Sequence, residues 1–408
     1  MTKIWVLTEL YYPEQTSTGY ILTHTAEGLA QEYDVGVITG PPTNFFERQK
    51  ALPYEEKNNV KIYRCQGTSF NKDIFWGRII NLVTRSITIF WKAFFYCKKG
   101  ETILVVTNPP LLPFFALLLK WLKGCNFVLL IHDLYPEILV ATGLYKASSF
   151  IVKIGHLLNR VLYKEATKII TLGRDMTKLV EAKLDADDKK ITCITNWAEV
   201  ETVRPEDRFN NETLKDLNLI NKFVVLYAGN IGRTHAIEDI AKAAKFLDLS
   251  TNIHFLFIGF GAKKQWLENY IKNQDIKNIT AVAPRPDRAE QSISLNACDV
   301  AIITFIPGMA GISVPSRMYN QMAAGKPIIA VTDDWSELAE VVRENEIGWV
   351  IKPGDITTLV ETIKYAAEHP EVCTQMGAKA ATVAQTKYSF FETDLAYKKL
   401  FKEIEYFS

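Results

Sequence analysis

The chain has 408 residues, 48% of them apolar and 23% charged, with a formal net charge of +1. This is too long for one ordinary core and too apolar for extended disorder, so it suits two α/β domains. The six scattered cysteines lack any Cys-x-x-Cys pair, which argues against a disulfide scaffold or zinc ribbon and for reduced, buried thiols; the six histidines are equally dispersed.

Met1-Thr2-Lys3 runs directly into an apolar strand, Ile4 to Leu7, so no signal peptide is expected. Further strands are predicted at 35–39, 60–64, 101–107, 126–132 and 167–172, with helices at 17–33, 75–98, 147–165 and 173–184. A second set of strands is predicted at 223–227, 253–258, 278–283, 299–304, 327–331 and 347–351. Helices at 236–247, 262–273, 315–324, 335–345 and 355–368 separate them. Strand and helix alternate throughout, the pattern of two doubly wound parallel sheets. The polar stretch 198–221 holds the boundary, dividing the chain into 1–205, 206–385 and a terminal amphipathic helix within 386–408.

The small net charge conceals an asymmetry. Residues 1–204 carry 25 Lys/Arg against 20 Asp/Glu, and within 71–125 eight basic residues face only Asp73 and Glu101. That segment is also strongly apolar, which fits an anionic membrane surface better than nucleic acid. Lys92, Phe94, Phe95, Lys98, Lys99, Lys120, Trp121 and Lys123 form the expected membrane or acceptor surface, with domain core as the alternative for the aromatics. The uncharged run Thr102 to Leu119 is cut by Asn108-Pro109-Pro110 and reads as strand then helix, not as a membrane span.

In doubly wound sheets ligands bind beyond the carboxyl ends of the strands. There the chain places a small-residue loop, Thr16-Ser17-Thr18-Gly19, suited to a phosphate or simply a helix cap. It places His132-Asp133 after the fifth strand, where the histidine is either a contact to a sugar hydroxyl or a satisfied structural group. In the second domain, Gly229-Asn230-Ile231-Gly232-Arg233-Thr234-His235 offers Arg233 to a phosphate, with a plain surface arginine as the alternative. The densest signal runs from Gly311 through Ser313, Pro315, Ser316 and Arg317 to Gly325. Arg317 would hold a pyrophosphate, and Asn320, three residues on, would reach a ribose. Gly259-Phe260-Gly261 lacks the third glycine of a nicotinamide site, and Asp185-Ala186-Asp187 reads as a solvated turn, not a metal motif.

These motifs, in this order and nearly end to end, resemble glycosyltransferase family four, within it the bacterial group that builds O-antigen and capsule repeat units. The resemblance rests on Tyr12-Pro13 with Gly19, Thr107-Asn108-Pro109-Pro110, His132 to Glu137, Asn196-Trp197, Gly229 to Arg233, Gly259-x-Gly261, and Pro315-Ser316-Arg317 to Pro327. It implies a GT-B fold of two Rossmann-like domains, with a last helix crossing back to the first. It implies further a retaining, metal-independent transferase on the inner face of the cytoplasmic membrane. The second domain would take a nucleotide-sugar, UDP-sugar by family habit, and the first a lipid-linked (polyprenyl diphosphate) saccharide acceptor; no cofactor and no nucleic acid are expected. His132, Arg233 and Arg317 are the implied catalytic residues. Gly19, Asn230, His235, Gly311, Ser313, Ser316 and Asn320 are the implied donor contacts. The family's two glutamates fall on Ile312 and Asn320, and its phosphate-site arginine and lysine fall on Asn230 and His235, so Arg233 would substitute. A nucleotide-sugar 2-epimerase and a non-catalytic partner subunit are the alternatives.

Overall fold

A computed structural model describes residues 2–42, 51–70, 75–184, 188–248, 252–285 and 287–407. The Asp185/Asp187 pair lies outside them. The chain forms two compact units, Met1–Glu137 with Lys146–Thr195 and Thr393–Ser408, and Ile138–Tyr145 with Asn196–Glu392.

The first unit is built on an eight-stranded sheet. In chain order its strands are β1 (Lys3–Thr8), β2 (Asp34–Thr39), β3 (Tyr54–Lys57), β4 (Val60–Arg64), β5 (Thr102–Val106), β6 (Asn126–Leu130), β7 (Lys168–Thr171) and β8 (Ile191–Cys193). Their order across the sheet is β3-β4-β2-β1-β5-β6-β7-β8. Pairings are parallel except β3 with β4, an edge hairpin. β3 and β8 were not expected: both are edge strands of mixed exposure, without the continuous apolar run that marks a buried parallel strand. The helices of this unit are α1 (Ser17–Leu29), α2 (Phe75–Tyr96), α3 (Leu112–Lys123), α5 (Phe150–Glu165) and α6 (Arg174–Glu181), while the short α4 (Glu137–Ala141) belongs from Ile138 to the second unit. Pro113 sits in the first turn of α3 and Gly124, at φ 70°, stops it, which is why the uncharged run ends as a 12-residue helix. No helix among the described residues is long and apolar enough to cross a membrane.

Chain order against sheet order sorts these helices. The α1 connection runs from β1 outward to β2, whereas α2, α3 and α5 carry the chain the other way, from β4 to β5, β6 and β7. Right-handed crossovers therefore put α2, α3 and α5 together on one face and α1 on the other. Phe90 of α2 packs on Phe115 of α3 at 5.4 Å, and Lys120 of α3 reaches Glu165 at the end of α5.

The second unit holds a parallel six-stranded sheet of β9 (Phe223–Ala228), β10 (Ile253–Ile258), β11 (Ile279–Val282), β12 (Val300–Thr304), β13 (Ile328–Val331) and β14 (Gly348–Ile351). The order is β11-β10-β9-β12-β13-β14. Its helices are α7 (Glu212–Asp216), α8 (Ile237–Leu247), α9 (Lys264–Asn273), α10 (Gln291–Leu295), α11 (Arg317–Ala323), α12 (Glu337–Glu344), α13 (Ile356–Glu368) and α14 (Pro370–Lys387). Ile237, Ile240, Ala241, Ala244 and Leu247 recur at helical spacing along α8, and that stripe is buried against Tyr227, Phe255 and Phe257.

The stretch 196–205, assigned above to the first domain, packs within the second unit. Ala198 N–H bonds Tyr388 O at 2.6 Å, and Glu199 N–H bonds Asn320 Oδ1 at 2.8 Å. The terminal helix α15 (Phe390–Phe407) begins in the second unit and belongs from Thr393 to the first. There Lys398 Nζ donates to Gln31 at 2.8 Å and Lys168 pairs with Glu403 at 3.2 Å. All six cysteines are free, five of them buried; Cys193, on edge strand β8, is exposed against expectation.

Candidate functional site

In the second sheet the chain leaves β9 toward β10 on one side, while β12 lies on the other. The carboxyl ends of β9 and β12 therefore flank the topological switch point, where doubly wound folds open a crevice. Gly229 follows β9 with φ 136°, a backbone region closed to side chains, and a Cβ there would stand 3.1 Å from Arg317 Nη1. The guanidinium of Arg317, the first residue of α11, occupies that space and lies 4.8 Å from the Tyr227 ring centroid.

His235 completes the arrangement. Its Nδ1 lies 2.9 Å from Thr304 O, the last residue of β12, and its Nε2 lies 2.8 Å from Arg317 Nη2. A carbonyl only accepts and a guanidinium only donates, so the proton belongs on Nδ1 and the imidazole is neutral. Burial, reinforced by the Arg317 charge, holds the His235 pKa down to about 3. The ring thus orients the arginine without neutralising it. No carboxylate pairs with Arg317 among the described residues, and its Nη1 is buried with no hydrogen-bond partner. A cation with a buried, idle donor is costly to leave so unless an anion comes to it.

Beside this group Lys263 Nζ donates to His235 O at 2.8 Å and pairs with Glu238 at 2.9 Å. One helical turn beyond Arg317, Asn320 Nδ2 donates to Glu199 Oε1 at 2.9 Å while its Oδ1 receives the Glu199 N–H. Arg288 also reaches Glu199 Oε1, at 2.5 Å. Glu199 is largely buried, which raises its pKa, but Arg288 and Asn320 more than offset that and leave it lowered.

The first unit has a switch point of its own between β1 and β5. Thr107 Oγ1, just after β5, accepts the N–H groups of His132 at 3.0 Å and Asp133 at 3.3 Å. His132 Nε2 is buried without a partner, and burial pushes the ring's pKa down to about 4. Across the sheet, the fully buried Arg85 of α2 pairs with Glu9, which follows β1.

Residues 210–383 match the family described as glycosyl transferases group 1. The chain is 29% identical over 393 residues to WbjE of Pseudomonas aeruginosa, named a probable glycosyltransferase, covering 95% of each. It is 24% identical over 383 residues to WcaI of Escherichia coli K12, whose name assigns it as a glycosyl transferase to colanic acid biosynthesis, covering 90% of this chain and 93% of that one. The chain thus resembles group 1 glycosyltransferases, with the family match confined to residues 210–383. Among solved structures its fold is similar to sucrose-phosphate synthase from Thermosynechococcus elongatus, with a TM-score of 0.79 at 15% identity over the whole of both chains. It is similar too to Anabaena Alr3699/HepE in complex with UDP and glucose, with a TM-score of 0.76 at 13% identity over 99% of this chain and 100% of that one.

Within this chain the structure groups some expected residues and separates others. Arg317 and His235 meet directly, but His235 holds the arginine and does not replace a phosphate-site lysine as a cation. Asn320 is not free for a ribose, since both ends of its amide are taken by Glu199. Arg233 and Asn230 are exposed on the loop after β9; Arg233 makes no ion pair among the described residues, and Asn230 O accepts the Tyr227 hydroxyl at 2.6 Å. Gly311, at φ 73°, is buried, and Ser313 and Ser316 are half-buried on the loop into α11, where Ser316 is the N-cap without a side-chain cap bond. Gly19 lies in the first unit inside α1, its N–H at 3.4 Å from the N-cap Thr16, and Glu14 fills the space where a Cβ would be. The phosphate-cradle reading of that loop gives way to an ordinary helix cap.

On the α2–α3 surface, Lys92 donates to Arg64 O at 3.1 Å and Lys120 binds Glu165, so neither is a free cation. Lys123 lies 4.4 Å over the half-buried Phe94, while Phe95, Lys98, Lys99 and Trp121 are exposed. Sequence reading missed Glu199 and Lys263. Glu199 lies beside the Asn196-Trp197 motif and could have been noticed there; Lys263 carries no pattern that marks it.

Proposed function

We propose that this chain is a retaining glycosyltransferase that moves a sugar from a UDP-sugar to a lipid-linked (polyprenyl diphosphate) saccharide acceptor in bacterial surface polysaccharide biosynthesis. It would work without a metal ion, in the cytoplasm against the inner face of the membrane. The observation that carries this reading is the half-buried, unneutralised Arg317, with its Nη1 buried and idle, at the β9/β12 switch point. A nucleoside diphosphate is an anion of the size and charge such a donor calls for. The Anabaena structure that shares the fold is a complex with UDP and glucose, and the name of the E. coli relative points to a surface polysaccharide.

In this mechanism the bond between the anomeric carbon and the diphosphate oxygen breaks. The acceptor oxygen bonds to the same carbon from the same face, and its proton passes to the departing diphosphate. Arg317 stabilises the charge that develops on that leaving group, with Arg233 brought in from its exposed position on the neighbouring loop. His235 keeps Arg317 aimed. In the first unit the neutral His132, with a buried and unpartnered Nε2, accepts a hydrogen bond from an acceptor or sugar hydroxyl.

The test is a thermal-shift series against UDP, GDP and ADP in the presence of EDTA, paired with NMR of the product's anomeric configuration. Stabilisation by UDP of about 2.7 kcal/mol at a hundredfold excess over Kd, lost in Arg317→Ala, is the expected result. No shift with any nucleotide would overturn the donor assignment in favour of a non-catalytic partner. A product of inverted configuration would overturn the retaining mechanism alone.

A further inference from the structure

Helix α5 (Phe150–Glu165) has a side that nothing among the described residues covers. Its buried residues, Val152, Asn159, Leu162 and Tyr163, form one inward stripe. Outward stand Phe150, Ile151, Ile154, Leu157, Leu158 and Val161, with Phe150 76% and Leu157 63% exposed. A helix on the surface of a globular domain ordinarily turns polar residues to that side. The exposed polar residues of α5 are instead Lys153, Arg160 and Lys164, with His156 against Glu137 at 3.5 Å. The one carboxylate within the helix, Glu165, is half-buried and bound by Lys120 at 3.3 Å and Trp121 Nε1 at 3.4 Å.

The surface continues along the same face of the sheet. Trp121 and Leu122 are exposed on α3, Trp91 and Phe95 on α2, and Lys98 and Lys99 follow the end of α2. Apolar side chains at helical spacing, flanked by cations and free of unpaired acids, complement the boundary of an anionic bilayer. They suit a second copy of this chain poorly, because two such faces would set lysine and arginine against lysine and arginine.

We propose that α5 is a seat on the surface of an anionic phospholipid bilayer. Phe150, Ile154, Leu157, Leu158 and Val161 enter the interface, and Lys153, Arg160 and Lys164 meet headgroup phosphates. This extends the membrane part of the reading above to a helix outside residues 71–125, and it is independent of the donor chemistry.

The experiment is co-sedimentation of the full chain with vesicles of phosphatidylcholine, alone or doped with phosphatidylglycerol, beside thermal unfolding of each variant. The expected result is binding to the doped vesicles that weakens with salt. Paired Leu157→Glu and Leu158→Glu should lower the partition coefficient about tenfold or more. Joint Lys153→Glu, Arg160→Glu and Lys164→Glu should abolish the preference for phosphatidylglycerol. All five positions are exposed, so unfolding temperatures should stay near that of the parent chain. Unchanged partition in both α5 variants overturns the proposal. If Lys98→Glu with Lys99→Glu then releases the protein, the α2 surface carries docking without α5. A dimer in solution that Leu157→Glu dissociates, with no vesicle binding by the parent chain, also overturns it and assigns the face to a second copy.

Discussion

Arg317 donates from Nη2 to Nε2 of His235 at 2.8 Å, and the same imidazole, through Nδ1, is tied to the last carbonyl of β12. Both bonds exist together only in the neutral ring. Arg317 is therefore held by a partner that leaves its full charge, and one buried donor, for a ligand.

Replacing Arg317 with Ala should lower turnover by about two to three decades, the cost of removing a preorganised donor from a developing anion. Arg317→Lys should recover little, since a point charge on a flexible stem does not reproduce the planar fork beside Tyr227. Thermal unfolding should change little, because the cation has no ion-pair partner to lose. UDP release in steady state measures the effect, and near-normal turnover would remove Arg317 from the site.

His235→Leu keeps much of the bulk and loses the acceptor. A hydrogen bond to a charged group is worth roughly 1.5–3 kcal/mol, so turnover should fall roughly ten- to hundredfold. His235→Gln, whose amide oxygen can accept from Arg317, should fall less. Equal activities in the two variants would show that the ring acts through packing and not through the bond.

The Glu199–Arg288 pair should matter for stability more than for chemistry. Arg288→Ala leaves a largely buried carboxylate without its cation and should destabilise the second unit by about 3 kcal/mol. Glu199→Gln in the Arg288→Ala background should restore part of it, because the uncompensated charge is gone. Urea unfolding of the single and double variants gives the coupling, and additive losses would mean the two side chains are independent.

Stability should fall as the solution is acidified below about pH 6.5. His132, His235 and His254 are buried neutral, with pKa values lowered to about 4, 3 and 4 by desolvation. Between those values and the ordinary histidine value the unfolded chain binds protons that the folded chain does not. Unfolding free energy therefore rises with pH through that window, by about 1.4 kcal/mol per pH unit for each histidine. His254, whose Nε2 meets Thr280 Oγ1 at 2.8 Å, lies outside the proposed chemistry. His254→Gln should flatten the slope of urea stability between pH 4.5 and 6 by about one proton. An unchanged slope would place its titration elsewhere.

Most of this architecture is written locally. Twelve of the fourteen strands announce themselves as apolar runs such as Val35 to Thr39 and Ile253 to Ile258, because a strand covered on both faces must be apolar throughout. The order of small turns, prolines and polar residues after those runs was enough to reach the resemblance to glycosyltransferases that the comparisons share. Arg317 could be picked out because a lone cation at a strand-to-helix turn is unusual. Partnership is another matter: His235 and Arg317 are 82 residues apart, and Glu199 and Asn320 are 121 apart. No periodicity encodes such pairs, so an imidazole that aims an arginine looked like a substitute cation, and an amide bound to a glutamate looked like a ribose ligand. The same holds for α5. Its sequence shows apolar residues around much of the helix, but the crossover that sets it beside α3 decides which of them turn inward and leaves Leu157, Leu158 and Phe150 facing out. What neighbours along the chain determine, the sequence declares; what depends on which strands lie side by side, only the folded sheet decides.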